Sequence, residues 1–190
     1  MNPKKLFIIE SALKLFSKKG MYSTSALDIA NETGLAKSTV FYHFKTIPDL
    51  HDLIFKYYYN QITIDSHNGI SKLIGTRRKL EHIWVRRARW GLKNPNVMRF
   101  LYTRYALEAN NRIDMDREIL KIIRKGIASQ KLINYNPTYI GTLFYASSNS
   151  IILSLVGKKY YNKKKITLVN RAFISFWGTV EHQEHVQNDY

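Results

Sequence analysis

Five side chains with hydrogen-bonding tips follow a glycine turn near the start of the chain, in the run GLAKSTVFYHF. They are Lys37, Ser38, Thr39, Tyr42 and His43. A lysine can donate to guanine O6 and N7, and the two hydroxyl residues can contact a base edge or a phosphate. The tips of the tyrosine and the histidine suit phosphate oxygens, which fix register rather than sequence. These residue types therefore predict contacts with nucleic acid.

A short helix is needed to bring these tips to one face, and the flanking sequence predicts one. Residues 33–35, Thr-Gly-Leu, form a turn signal, and the helix is expected from about residue 36 or 37 to about 44. Val40 would face the local core, and Lys45 would lie beside the nucleic-acid backbone. Small side chains at the helix start would let the helix sit deep in a major groove.

The rest of the chain also reads as helical, since apolar residues recur at three- and four-residue steps and there are only four prolines. One helix is expected to end at Gly20, and Thr24 or Ser25 is expected to cap the next. Pro48 opens a longer helix. Further helices are expected at about 77–93, 95–109, 115–130 and 137–157, and from about 166 after a basic turn at 158–165. This pattern predicts an all-α fold.

The charge indicates a polyanionic partner. The 30 Lys and Arg residues against 14 Asp and Glu residues give a net charge of +16. Residues 1–50 carry only +3 of it, and residues 51–190 carry +13. Nucleic acid and an acidic membrane surface are the candidate partners, and a solubilising role is the alternative.

The chain lacks cysteine, which excludes disulfides, zinc–thiolate sites and cysteine nucleophiles and suits a reducing, cytoplasmic location. No run of 18 uninterrupted apolar residues occurs, and the N-terminal segment does not read as a signal peptide, so we expect no membrane partner. There is no G-x-S-x-G, P-loop or H-E-x-x-H sequence. His43 has no second ligand three or four residues later. We therefore expect no enzyme activity, no cofactor and no metal.

The run from Ile9 to Ile54 resembles the DNA-binding domain of the tetracycline-repressor (TetR) family of bacterial transcription regulators. The matching motifs are A-x-x-L-F-x-x-x-G, D-I-A, G-L-x-K-S-T and F-Y-H-F-K. The resemblance implies a three-helix helix-turn-helix DNA-binding domain at residues 1–47. It also implies a larger helical effector-binding and dimerisation domain at residues 48–190.

The resemblance also implies roles for single residues. Thr24 and Ser25 would touch phosphate, while Lys37, Ser38 and Thr39 would face bases. Phe41 stands where the family often has a tyrosine near base methyls or sugars, and it either contacts DNA or packs. Tyr42, His43 and Lys45 would hold the backbone. The family commonly has a lysine two residues after Lys45, but this chain has Ile47, so one phosphate contact is missing or is supplied elsewhere.

The C-terminal part is expected to form a homodimer and to hold an effector pocket. Its last two long helices carry apolar residues on more than one face, which favours a two-fold interface over a monomer. The pocket candidates are Arg87, Trp90, Tyr102, Tyr105 and Asn149. An arginine among aromatic residues favours an anionic or aromatic small-molecule effector. The alternative is that Arg87 extends to solvent and that the tyrosines belong to the core.

The sequence thus predicts a DNA-binding transcriptional regulator, a repressor that a small molecule releases from a pseudo-palindromic operator. Two alternatives stay open. One is an inducer-independent architectural or cell-division factor on the same scaffold. The other is a basic helical protein that binds acidic membranes, against which stands the lack of a strongly amphipathic basic helix with a free apolar face.

Overall fold

The computed structural model describes residues 2–107, 116–159 and 162–183, and nearly every element in these ranges is an α-helix. The helices are α1 (Pro3–Lys19), α2 (Ala26–Thr33), α3 (Lys37–His43), α4 (Ile47–His67), α5 (Thr76–Lys93), α6 (Pro95–Leu107), α7 (Arg117–Ala128), α8 (Pro137–Leu155) and α9 (Asn162–Val180). A short 3-10 helix, Ile70–Lys72, precedes α5. The predicted all-α fold class is confirmed.

Capping side chains explain where several helices begin. Asn136 accepts a hydrogen bond from the Thr138 amide at the start of α8, and Pro137 occupies the first helical position. Asp116 accepts from the amides of Glu118 and Ile119 at the start of α7. Each cap satisfies amides that the first helical turn leaves without a partner.

The predicted basic turn at residues 158–165 is wrong in its second half. Helix α9 begins at Asn162, so Lys163, Lys164 and Lys165 lie in its first turn. Lysine has a high helix propensity, and this outweighs the small unfavourable effect of positive charge at a helix N-terminus.

The described chain forms two compact units. Unit 1 comprises residues 1–62 and 94–109, and unit 2 comprises residues 63–93 and 110–190. The division falls inside α4, between Ile62 and Thr63. The sequence predicts a different boundary, after residue 47, between a DNA-binding domain and an effector-binding and dimerisation domain. That boundary separates two functions rather than two compact units, and it stays a prediction.

Unit 1 is built on α1, which packs against α2 and α6, while α2 packs against α3. Ile8, Ile29, Val40 and Leu50 are at most 1% exposed and bring α1, α2, α3 and α4 into one apolar core. The burial of such side chains stabilises a domain by about 1.5–3 kcal/mol each. This core fixes the orientation of the short helix α3.

Unit 2 has an aromatic core around Trp84 of α5. The indole is fully buried and lies within 5.3–5.6 Å, between ring centroids, of Phe144, Phe173 and Phe176. Its Nε1 donates to the Val169 carbonyl at 3.1 Å, so the one polar atom of the ring is satisfied. Helices α5, α8 and α9 are therefore held together by one cluster.

Within the described ranges, no helix has both the length and the apolar content needed to cross a membrane.

Candidate nucleic-acid interface

The inward face of α3 is anchored in the core of unit 1. Val40 is 1% exposed and Phe44, which ends the helix, is 5% exposed. Gly34 adopts a left-handed conformation with φ 68° at the end of α2, which permits the sharp turn between the two helices. The sequence folds here into two short helices joined by a tight turn, with α1 packed against the first of them.

The outward face of α3 carries the predicted hydrogen-bonding tips. Lys37 and Ser38 are exposed, Thr39 is half-buried, and Tyr42 is 85% exposed. His43 is half-buried and its ring meets the Tyr42 ring edge-on, with the centroids 5.2 Å apart. The structure thus places these five residues on or near one accessible surface.

Phe41 and Phe44 have different environments. Phe44 belongs to the core, whereas Phe41 is 40% exposed and its ring lies 5.7 Å from the Lys37 Nζ. This cation–π contact holds the Lys37 side chain along the helix surface. Phe41 therefore remains available for an apolar contact at the interface.

Thr24 and Ser25 sit at the start of α2 but differ in exposure. Thr24 is 4% exposed and its hydroxyl donates to the Gly20 carbonyl at 2.9 Å, so its side chain faces inward. Ser25 is exposed and forms a capping box with Asp28: Oγ accepts from the Asp28 amide, and the Asp28 carboxylate accepts from the Ser25 amide. Ser25 thus matches its predicted position better than Thr24 does.

Asp28 is held as a carboxylate. The hydrogen bond from Lys19, followed by those from the Ser25 amide and hydroxyl, keeps the pKa of Asp28 well below its usual range. A negative charge in the first turn of α2 also suits the helix dipole. The acidic side chain next to the candidate interface is therefore neutralised by a local lysine.

The lysines of unit 1 divide into paired and unpaired groups. Lys14 pairs with Glu32, and Lys19 pairs with Asp28. Lys37 and Lys45 are exposed and form no ion pair with any residue that the structure describes. The positive charge near α3 is thus not neutralised by the protein itself.

Lys5 is a further candidate that the sequence reasoning did not single out. Its Nζ lies 5.3 Å from the centroid of the Phe44 ring, at the end of α3. The sequence shows Lys5 as one of several basic residues of α1, which gives no indication of a role at the interface. The packing of α1 brings it near the end of α3.

Two of the predicted effector residues meet in the described part of unit 2. Arg87 and Asn149 are both buried, and the Arg87 Nη2 donates to Asn149 Oδ1 at 3.2 Å. Trp90 is half-buried on α5, and Tyr102 is 41% exposed in unit 1. The backbone of Tyr105 lies in α6, but its side chain is outside the described residues. The sequence reasoning missed Tyr145, whose ring lies 4.6 Å below the Arg87 guanidinium and which precedes Asn149 by one helical turn.

The alternative placement of Arg87, extended to solvent, is wrong, because the residue is 4% exposed. Two surface clefts of unit 2, of about 310 and 380 Å³, are lined by residues of α5, α7 and their flanking segments and do not include Arg87. In the ranges that the structure describes, no three His, Asp or Glu side chains cluster in a way that could hold a metal ion.

The N-terminal segment of the chain matches the sequence model of a known family. Residues 8–52 match the model of bacterial regulatory proteins of the tetR family, and these residues include part of the core of unit 1 and the whole of α2 and α3. This segment, residues 8–52, is thus similar to the bacterial regulatory proteins of the tetR family. The matched region contains the exposed face of α3, so the candidate interface lies in the family's own helix-turn-helix.

A curated relative matches a short segment of the chain. The uncharacterized HTH-type transcriptional regulator YerO of Bacillus subtilis (strain 168) is 44% identical over 46 residues, which are 24% of this chain and 16% of that protein. The chain thus covers well under two thirds of this relative's length, and the match is confined to a segment of the size of the helix-turn-helix.

Solved structures share the tetR fold over nearly the whole chain. A tetR-family regulatory protein from Rhodococcus RHA1 superposes with a TM-score of 0.80 at 14% identity, covering 97% of this chain and 100% of that one. The transcriptional regulator FadR from Bacillus subtilis, solved in complex with stearoyl-CoA, gives a TM-score of 0.70 at 17% identity, covering 90% and 96%. At these identities the likeness concerns the fold alone.

Proposed function

We propose that this protein is a sequence-specific DNA-binding regulator of the tetR family that inserts α3 into the major groove of double-stranded DNA. The observation that carries the proposal is the two-faced character of α3, with Val40 buried and Lys37, Ser38 and Tyr42 exposed. An α-helix fits the major groove, and short side chains at its start let the backbone approach the bases.

The proposed contacts with DNA are of two kinds: some side chains contact base edges, and others bind the phosphate backbone. Lys37, Ser38 and Thr39 face base edges, whereas Tyr42, His43 and Lys45 bind phosphates. Phe41 contributes apolar contact, and Ser25 approaches a phosphate from the start of α2. Lys5 replaces the phosphate contact that Ile47 cannot make, since its ammonium group lies over Phe44 at the end of α3. Cationic contacts to phosphate supply much of the affinity, and base contacts supply the sequence preference.

The protein acts as a homodimer formed through α8 and α9. These helices pack against each other and still expose apolar side chains, namely Tyr139 at 61%, Leu143 at 38% and Ile174 at 56%. Small exposed residues, Ala146 on α8 and Gly178 on α9, would let two copies approach closely. A two-fold dimer reads a pseudo-palindromic site with half-sites about one or more DNA turns apart.

The protein is a repressor that a small-molecule effector releases from its operator. Support comes from the fold shared with a regulator solved in complex with stearoyl-CoA, and from the buried polar residues Arg87 and Asn149 inside unit 2. An effector acts by binding more tightly to a conformation that matches the operator less well.

Selection of bound sequences from a random double-stranded DNA pool tests the DNA-binding proposal. The expected result is one enriched sequence with two related half-sites, which a Lys37→Ala variant fails to enrich to the same degree. Retention of DNA without any enriched sequence would instead favour the inducer-independent architectural factor and would contradict the base-reading role of α3.

A further inference from the structure

Arg87 is a buried cation inside unit 2. It lies on α5, one turn after the core residue Trp84, and only 4% of its surface is exposed. Arginine is almost never fully buried unless its charge is paired. The contacts of this guanidinium therefore need to be accounted for one by one.

The described part of unit 2 gives Arg87 few partners. Its Nη2 donates to the amide oxygen of Asn149 at 3.2 Å, and its guanidinium lies 4.6 Å above the Tyr145 ring. Its Nε is buried and has no hydrogen-bond partner. Both contacts are with neutral groups, and neither neutralises the charge.

The carboxylate that Tyr145 contacts is already engaged. Asp116 Oδ2 accepts from the Tyr145 hydroxyl at 3.3 Å and lies 3.3 Å from the His67 Nε2. Asp116 Oδ1 caps α7 by accepting from the Glu118 and Ile119 amides. Asp116 thus orients Tyr145 below the guanidinium and is used by other groups.

We propose that Arg87 is the receptor for a ligand oxyanion, a carboxylate or a phosphate carried on an apolar body. This inference rests on the effector-responsive function proposed above and names the class of its ligand. A planar guanidinium suits the two oxygens of such a group, and the Arg87 Nε–H is a buried donor without a partner. Tyr145 and Asn149 hold the guanidinium in place. The apolar body of the ligand would enter the neighbouring core of unit 2, to which Trp84 of the same helix belongs.

Binding at Arg87 couples to a change in the fold of unit 2. Because the guanidinium is enclosed between α5 and α8, an entering ligand must displace neighbouring side chains. A ligand that stabilises the displaced arrangement shifts the population of conformations. The anionic group is therefore the part of the ligand that Arg87 recognises. Its binding also favours the displaced conformation of unit 2.

Thermal unfolding and calorimetric titration of the full chain test this inference with three probes that share one tail: octanoate, octyl phosphate and 1-octanol. The expected result is a rise in Tm of about 3–6 °C when an anion exceeds its Kd tenfold, with little effect of the neutral alcohol. Whichever of the two anions binds with the lower Kd indicates whether the natural ligand carries a carboxylate or a phosphate. An equal rise with 1-octanol, or no rise with either anion, would overturn the proposal.

The Arg87→Met variant separates a receptor from a structural arginine. Because it replaces a buried cation with an apolar chain, it should keep or raise the Tm of the free protein and weaken anion binding at least tenfold. The matched control is Arg89→Met, which removes an exposed charge from the same helix and should bind the anion as the wild type does. A lowered Tm together with unchanged anion binding would show that Arg87 is structural only.

Two further measurements keep the test decisive. If Arg87→Met fails to fold, Arg87→Lys replaces it in the test. This variant keeps the positive charge but lacks the planar guanidinium that donates two parallel hydrogen bonds, so it should bind octanoate at least tenfold more weakly than the wild type. DNA affinity is measured on the same proteins in the absence of anion. Normal DNA affinity without anion binding refutes this inference alone, and anion binding without sequence-specific DNA binding refutes the proposed regulator alone.

Discussion

His51 is a buried histidine at the centre of unit 1. Its ring lies 5.0 Å from the Phe16 ring and 6.2 Å from the Phe100 ring, and its Nε2 has no hydrogen-bond partner. Burial, followed by the nearby charge of Arg104, lowers the pKa of His51 to about 4 from an ordinary value of 6.5. The folded state therefore favours the neutral ring.

The lowered pKa of His51 predicts that the folded state of unit 1 loses stability in mild acid. Between pH 6.5 and pH 4 the unfolded state binds the proton and the folded state does not, so stability falls as the pH falls through this window and is unaffected above it. We expect a loss of about 1.5 kcal/mol between pH 6.5 and pH 5. Urea unfolding of the wild type and of His51→Leu checks this, and an identical pH slope in the two proteins would contradict it.

Lys45 is predicted to act on the DNA backbone. Lys45→Ala should weaken binding to the selected operator and to random DNA by similar factors, since phosphate contacts carry no sequence information. The slope of log K against log salt should fall by about 1 per subunit. Lys18→Ala, which removes an exposed charge from α1, is the control and should leave the slope nearly unchanged. A loss confined to the operator would reassign Lys45 to base reading.

At the residue scale, the exposure of single side chains was predictable where a helical period decided it. Val40 faces inward and Tyr42 outward because they lie on opposite faces of α3. The inward hydroxyl of Thr24 was not predictable, because its acceptor is the Gly20 carbonyl at the end of the preceding helix. The Arg87–Tyr145 contact was missed for a similar reason, since it joins two helices far apart in sequence.

At the scale of elements, the turn between α2 and α3 determines the direction in which the reading face points. Gly34 has φ 68°, and a Cβ at this position would meet no atom within 4 Å. Space is therefore not the constraint on residue 34. The left-handed backbone alone disfavours other residues.

We therefore expect a substitution of Gly34 to change stability only through the backbone conformation of residue 34. Gly34→Ala should lower the free energy of unfolding by about 1 kcal/mol, whereas Gly34→Asn should cost less because asparagine tolerates the left-handed region. Urea unfolding monitored by circular dichroism measures both. Equal stability of the Ala variant and the wild type would show that the turn relaxes to another conformation.

Helix boundaries were predictable wherever capping chemistry marked them. Asn136-Pro137 and Asn94-Pro95 mark the starts of α8 and α6 as expected. The start of α9 was misplaced because lysines were read as a turn, although their helix propensity is high. The division inside α4 carries no local signal, since it reflects which core each half of a continuous helix joins.

At the scale of the whole molecule, the proposed dimer predicts a surface that is sensitive to charge. Leu143→Glu places a carboxylate on the exposed face of α8, and two-fold symmetry buries it twice at the interface. The dimer dissociation constant should rise at least thirtyfold, which corresponds to about 2 kcal/mol. Sedimentation equilibrium measures this constant.

The matched control for the dimer face is Ile74→Glu. Ile74 is 85% exposed and precedes α5, outside α8 and α9. It should leave both the association of subunits and the thermal stability unchanged. A wild-type chain that sediments as a monomer at all concentrations would contradict the proposed dimer.

The sequence predicted a helical regulator from its N-terminal motifs, but not which residues of the larger part meet. The motifs are local, so their spacing is readable along the chain. The effector candidates Arg87 and Asn149 are separated by more than sixty residues, and only the packing of α5 against α8 joins them.

The proposed regulator depends most on α3 as the helix that reads bases. A base-pair scan of the selected operator with the wild type and with Lys37→Ala tests this role most directly. The variant should lose about 1–3 kcal/mol on the operator and should lose discrimination at one position in each half-site, with random DNA affinity nearly retained. An equal loss at every position and on random DNA would show that Lys37 contacts only the backbone and that α3 does not read the sequence there.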